Sequence, residues 1–221
     1  MAAGGLSLWA LAALLGLRHA LEPDHLTALS TLVAEERGAR AAVSLGIAWG
    51  LGHTLALLGV ATVLAASETT LPAPVATAFE LAVGLMLIGL GLRAIGRAVG
   101  ERWKKQAPPA EPHHHDSRGR WALARRSTAI GLVHGLAGSG ALTALVASQL
   151  SSTGMRLAYV GLFGLCSTVA MAGMSGLAGL PLARLGQRPG LRTGIGLLTG
   201  AIAIIVGGGW VLREVTALRG G

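Results

Sequence analysis

The first apolar stretch of the chain contains a group of ionisable residues. Residues 18–25 read RHALEPDH and hold two imidazoles and two carboxylates, with Leu, Ala and Val on both sides. At membrane depth an Asp, Lys or Arg side chain costs at least about 2.5 to 3.5 kcal/mol, so packing alone does not select such a set. Imidazole with carboxylate is a ligand mix for a divalent transition metal such as Ni²⁺, Co²⁺ or Zn²⁺. The segment therefore predicts a metal site that includes His19, Asp24 and His25.

Pro23 is expected to break the helix that carries these residues. It has no N–H, and its ring clashes with the carbonyl of His19. On an unbroken helix His19 and Glu22 share a face, while Asp24 and His25 point elsewhere. A break can turn the metal ligands toward one point, and broken spans near the midplane hold the substrate sites of many transporters. Glu22 is expected beside the metal, where it could carry protons that compensate the charge of the ion.

Further candidate site residues stand in other apolar stretches. His53 and His134 are each either metal ligands or hydrogen-bonded interior histidines; the cluster around His25 favours the ligand interpretation for His53 and leaves His134 open. Glu80 begins the third stretch, where it either attracts cations to an entrance or simply reaches the interface. The remaining residues expected to line a pathway are Thr54, Ser139, Ser167 and Thr168.

A polar segment from about 100 to 126 separates the third and fourth apolar stretches. It contains several prolines and the run His113, His114, His115 and Asp116, and it is predicted to be a flexible loop. A short histidine tract of this kind binds metal weakly. It is expected to capture or buffer metal, the alternative being an uninvolved polar loop.

The composition is that of a membrane protein. The 221 residues are 52% apolar and 13% charged, with a mean hydropathy of +0.61. Cys166 is the only cysteine, which excludes a disulfide scaffold and disfavours a site for Cu⁺. A membrane-spanning helix needs about 20 mostly apolar residues. Six stretches qualify, namely 6–34, 41–66, 74–98, 127–150, 157–181 and 191–213.

The basic residues predict the orientation of these spans. The Lys and Arg residues that give the net charge of +8 cluster in particular connections between the apolar stretches. This distribution indicates a membrane topology and argues against nucleic-acid binding. Fourteen Lys and Arg residues lie in the connections on one side and three on the other, with Arg18 left inside the first span. Because cytoplasmic loops are rich in Lys and Arg, the histidine loop is predicted to be cytoplasmic and both termini outside.

The two halves of the chain resemble each other. Residues 16–21 align with residues 131–136, and residues 50–54 align with residues 164–168. Three spans per repeat is an odd number, so the halves must cross the membrane in opposite directions. The predicted fold is all-α, a polytopic membrane protein of two inverted three-helix repeats. The predicted divisions are 1–100 for the first repeat, 101–126 for the loop and 127–221 for the second repeat.

These residues resemble the motifs of the nickel/cobalt transporter family. The spacing of His19, Asp24 and His25 is that of the family's His-x4-Asp-His motif, and residues 52–54 (GHT) are similar to its Gly-His-Ser/Thr motif. The segments around His25 and His134 are similar in particular to the shorter, urease-accessory-like bacterial members. Around Glu22 and Pro23 the chain departs from the longer transporters of the family.

The resemblance implies secondary transport of Ni²⁺ or Co²⁺ across the bacterial inner membrane. It implies that His19, Asp24 and His25 are required and that His53 takes part. The metal is then substrate, and no prosthetic group is expected. Two alternatives are a membrane accessory or metal-sensing protein that binds metal without moving it, and an intramembrane metalloenzyme, which is the less favoured because no additional acid/base machinery is evident. Import, efflux and assembly into homo-oligomers all remain open.

Overall fold

The computed structural model describes residues 2–34, 38–104, 117–137, 150, 152–185 and 189–220. The regular secondary structure of these residues is entirely helical, as the sequence predicts. The helices are α1 (Ala2–His19), α2 (Pro23–Ala34), α3 (Ala39–Ser67), α4 (Ala73–Lys104), α5 (Ser117–Gly135), α6 (Thr153–Leu185) and α7 (Pro189–Gly220).

Four of the described helices are long and apolar enough to cross a membrane. Their apolar cores have mean hydropathies between 1.7 and 2.1 and span Ala39–Ser67, Ala73–Gly100, Thr153–Leu182 and Gly190–Arg219. At about 1.5 Å per residue, such helices exceed the roughly 30 Å of a hydrocarbon core. Large apolar side chains such as Leu85, Val169 and Ile205 are more than half exposed on their outer faces. A lipid environment accounts for this apolar surface.

The two other predicted spans look different. The first, 6–34, is divided into α1 and α2, with the chain out of helix at residues 20–22. The fourth, 127–150, begins within α5, but α5 ends at Gly135 and residues 138–149 lie outside the described part of the chain. The count of six spans therefore stays a prediction.

Helix α3 makes close contacts with two other long helices. It packs against both α5 and α6, while α1 packs against α6, and α4 pairs with α7. Glycines allow these close approaches. A Cβ atom added at Gly50 would lie 2.7 Å from the Cα of Thr168 in α6, and one added at Gly52 would collide with the backbone carbonyl of Thr128 in α5. Small residues of this kind let helix backbones approach where lipid supplies no hydrophobic drive for association.

Two matching packing contacts join the first half of the chain to the second. Gly16 of α1 packs against the carbonyl of Phe163 in α6, and Gly131 of α5 packs against the carbonyl of Trp49 in α3. The two glycines are 115 positions apart and the two aromatic residues 114, the offsets of the sequence alignment. The hydroxyls of Thr54 and Thr168, also 114 apart, meet at 3.1 Å. The likeness of the halves thus extends to their helix contacts.

Replacing Gly131 by Ala is expected to destabilise the bundle. The new methyl would overlap the carbonyl of Trp49, which is backbone and cannot move aside, and overpacking of this kind costs about 1 to 3 kcal/mol. Gly161→Ala is the matched control, because nothing lies within 4 Å of its Cβ position. Thermal unfolding of the detergent-purified variants measures the difference. Equal midpoints for the two variants would contradict the packing described.

Candidate metal centre

The break in the first apolar stretch is a tight turn between α1 and α2. Helix α1 ends at His19 and α2 begins at Pro23, a position where the missing N–H of proline costs nothing. The N–H of Leu21 donates to the carbonyl of Arg18 at 2.9 Å, and that of Glu22 donates to His19 at 3.0 Å. The chain thus leaves the helix while its backbone carbonyls keep partners.

Helix α5 ends in the same way. His134 stands in its last turn, and the N–H of Ala137 donates to the His134 carbonyl at 3.3 Å, as Glu22 does to His19. The ends of α1 and α5 therefore meet the cluster with their carboxyl termini, which carry partial negative charge and favour a cation. Asp24 lies in the first turn of α2, where the helix dipole stabilises a carboxylate.

His53 reaches the cluster from the middle of a long helix. It is the central residue of the 29-residue α3, about 21 Å from either end. Gly135 allows the end of α5 to come this close, because a Cβ there would collide with the carbonyl of His53. This approach brings the His134 and His53 rings to 6.3 Å between centroids.

Three histidines form the first potential metal-binding group. His19, His25 and His53 are each at most 3% exposed, and one ring nitrogen from each lies within 4.8 Å of the others. The Nε2 atoms of His19 and His53 are 3.1 Å apart. Two nitrogens bound to one ion at about 2.1 Å stand about 3.0 to 3.4 Å apart in octahedral or tetrahedral geometry. The spacing therefore suits two adjacent ligands of one ion.

A second group shares His25 with the first. Asp24, His25 and His134 also place one ligand atom each within 4.8 Å of the others. Asp24 Oδ2 lies 2.9 Å from His134 Nε2, and Asp24 Oδ1 lies 3.3 Å from His25 Nδ1. With an ionised Asp24, the two ring nitrogens are the donors. One buried carboxylate thereby orients two imidazoles.

Ring nitrogens without partners show that the cluster has spare ligand capacity. His25 Nε2, His53 Nδ1 and His134 Nδ1 are buried and have no hydrogen-bond partner among the described residues. If His25 donates from Nδ1, its Nε2 carries a lone pair, and the same holds for the Nδ1 of His134 when its Nε2 donates. A buried polar atom left without a partner costs about 1 to 3 kcal/mol. A divalent transition metal is a suitable partner for such lone pairs.

Glu22 supports the cluster from its edge. Its Oε2 lies 2.9 Å from Nδ1 of His19, and its side chain is 47% exposed. A carboxylate that accepts from one ring nitrogen of a histidine fixes the tautomer and leaves the other nitrogen free for a metal. In this arrangement Nε2 of His19 is the nitrogen that faces His53. Glu22 is therefore placed to orient His19, and it also touches the surrounding medium.

Of the other predicted residues, those that the structure describes belong to neither group. The Thr54 hydroxyl donates to the carbonyl of Gly50 at 2.8 Å and contacts Thr168, within the α3–α6 contact. Glu80 pairs with Arg213 at 2.8 Å across α4 and α7. Ser167 is fully buried, and its hydroxyl has no partner among the described residues. Ser139 and the loop histidines His113, His114 and His115 lie outside the described part of the chain.

Trp49 belongs to the site but was not a sequence candidate. Its ring lies 5.4 Å from the ring of His25 and 5.5 Å from that of His134, and it is fully buried. A single aromatic residue in an apolar helix has no local pattern that distinguishes it from core. Its position four residues before His53, one helical turn away, is the signal that could have found it.

Comparison with known proteins bears on these features. The chain is similar to the urease accessory protein UreH of Bacillus sp. (strain TB-90), with 27% identity over 206 residues, which cover 91% of this chain and 89% of that protein. The expected resemblance to the urease-accessory branch is confirmed. No family model matches the chain, and no solved structure matches it.

Metal binding is expected to depend on the buried cluster and not on the loop. The double variant Asp24→Asn, His25→Ala removes the histidine that both groups share and the carboxylate of the second group. In titration calorimetry with Ni²⁺, Co²⁺ and Zn²⁺, this variant is expected to lose the tight binding that we expect of the wild-type cluster. The matched control replaces His113, His114 and His115 by Ala and leaves the cluster intact. Tight binding that survives in the double variant and vanishes in the loop variant would contradict this assignment.

Glu22→Ala is expected to weaken metal binding without abolishing it. Removing a carboxylate that orients a ligating histidine costs about 10 to 100-fold in affinity, and the exposure of Glu22 places the effect near the lower end. Glu22→Gln keeps an acceptor for Nδ1 of His19 and should fall between the two proteins. Calorimetric titration with Ni²⁺ measures all three. A Kd unchanged in Glu22→Ala would contradict an orienting role.

Proposed function

We propose that this chain is a secondary transporter that moves Ni²⁺ or Co²⁺ across the bacterial inner membrane. The observation that carries the proposal is the buried cluster at the middle of α3, in which four imidazoles and one carboxylate meet inside an apolar bundle. His19, Asp24, His25 and His53, which belong to the two groups, would supply ligands for the transported ion. Ionisable groups at such depth are characteristic of ion pathways.

The ligand set suits an ion that comes and goes. Each potential group offers three protein ligands, whereas structural metal sites in proteins usually close four. An incomplete shell leaves positions for water or for exchange. Two half-helix ends face the cluster, an arrangement that transporters use to bind cations near the midplane. These features favour a cargo ion over a permanently bound one.

The repeated contacts support an inverted-repeat architecture. Gly16 on Phe163 and Gly131 on Trp49 are equivalent contacts, and the turns that follow His19 and His134 have the same hydrogen bonds. Two three-helix repeats of opposite direction, with both termini outside, accommodate them. Rocking of one half against the other would then expose the cluster to each side in turn.

The donor atoms narrow the choice of metal. The cluster supplies imidazole nitrogen and carboxylate oxygen, and none of the groups found among the described residues contains a thiolate. Such a set suits Ni²⁺, Co²⁺ and Zn²⁺ better than Cu⁺, which prefers thiolate and thioether ligands. The resemblance to nickel/cobalt transporters selects Ni²⁺ and Co²⁺ among them.

A second candidate function is a membrane accessory protein that binds nickel without carrying it across. The observation that favours it is the similarity to a urease accessory protein over nine-tenths of the chain. The cluster would then hold or sense the metal. The two functions differ in one measurable quantity, the flux of metal through the membrane.

Radioactive Ni²⁺ flux into proteoliposomes tests the proposal. The wild-type protein is expected to transport the ion, and Asp24→Asn, which keeps the shape of the side chain and removes its charge, is expected to lose at least nine-tenths of the flux while remaining folded. Thr62→Ala is the control, since its hydroxyl donates to Leu58 on an exposed face of α3. Wild-type protein that binds Ni²⁺ in calorimetry but shows no flux would favour the accessory function.

A further inference from the structure

His25 stands between the two metal-binding groups. Its ring centroid lies 4.1 Å from that of His19 and 4.1 Å from that of His134, with steep interplanar angles of 72° and 67°. The first group adds His53 on one side, and the second adds Asp24 on the other. His25 is thus the only residue common to both groups among the described residues.

We propose that the cluster is two overlapping stations for a single divalent ion and that His25 passes the ion between them. The first station is formed by His19, His25 and His53, and the second by Asp24, His25 and His134. The inference rests on the proposed transport function and assigns His134 the role of a metal ligand. The ion would therefore have different ligands before and after it moves, with His25 in common.

The two ring nitrogens of His25 suit this role. Nδ1 faces Asp24 Oδ1 at 3.3 Å, whereas Nε2 has no hydrogen-bond partner among the described residues. An ion held through Nε2 leaves Nδ1 hydrogen-bonded to Asp24, which strengthens the ligand. A modest rotation of the ring, with loss of the bond to Asp24, would present the same residue to the second station. Because His25 is shared, two ions would lie close enough to repel each other strongly, so one ion is bound at a time.

The stations differ in charge and in origin. The first consists of three imidazoles, whereas the second includes the carboxylate of Asp24, whose direct coordination would neutralise half of the charge of the ion. His19 stands in the last turn of α1, and His134 occupies the equivalent place in α5. Each station therefore contains one histidine from a helix end: His19, from the first half of the chain, in the first station, and His134, from the second half, in the second station. Relative motion of the halves would change which station is complete.

Cobalt spectroscopy with three single variants tests the two stations. Co²⁺ is titrated into purified full-length protein, its visible absorption reports the ligands, and radioactive Co²⁺ flux into proteoliposomes reports transport. His53→Ala removes only the first station and His134→Ala only the second. Both are expected to keep one bound Co²⁺ per chain, with absorption spectra that differ from each other, and to lose at least 10-fold in flux. His25→Ala, which damages both stations, should lose the Co²⁺ absorption of both.

His134→Gln distinguishes a ligand from a positioning residue. A glutamine amide can still donate a hydrogen bond to Asp24 but provides no ring nitrogen. If His134 only holds Asp24, the Gln variant recovers the wild-type spectrum and flux, and the two-station proposal is overturned. If His134 is a ligand, the Gln variant behaves as His134→Ala does.

The remaining outcomes are equally decisive. Loss of all Co²⁺ binding in both His53→Ala and His134→Ala would show one site built from all five residues, and two ions per chain would exclude the hand-over. Distinct spectra in the two variants together with absence of flux in the wild type would support the stations and refute transport. Failure of the inference and failure of the proposed function are therefore separate results.

Discussion

Asp24 accepts hydrogen bonds from His25 and His134 in the interior of a bundle whose outer surface is apolar. A buried carboxylate in such surroundings is stable only when it is paired, and here His25 near the start of α2 and His134 in the last turn of α5 are the partners. Because α2 begins next to Asp24 and α5 ends next to His134, the termini of these helices face the same point. The polar cluster thus lies where α2 begins and α5 ends.

Close backbone packing supplies the rest of the arrangement. Lipid gives helices no hydrophobic reason to associate, so contact area must come from small residues. Gly131 and Gly135 bring α5 against α3, and Gly16 brings α1 against α6. Helices α4 and α7 also pack closely, through Gly84 with Gly207 and through Gly91 with Gly200.

The chemistry of the site follows from what is left unsatisfied. A cation is attracted here by the carboxyl termini of two helices, by one carboxylate and by imidazole nitrogens without partners. Each of the two groups offers only three protein ligands, so neither completes a coordination shell. Such a cluster is compatible with the binding of a divalent metal. Glu22 joins this interior to the exposed edge of the bundle through His19.

Much of this was accessible from sequence, because the physical signals were local. The apolar stretches mark long helices, and an ionisable run that contains Pro23 marks both a polar site and an interruption in the helix. The family motif also singled out His19, Asp24, His25 and His53, which lie together in the structure. The tertiary structure alone decided that His25 is shared by two groups, that Asp24 bonds to His134 and that Trp49 lies against both rings. These contacts join residues from α2, α3 and α5 that are far apart in the chain, and their distances depend on how closely glycine lets the helices pack, which periodicity and composition do not encode.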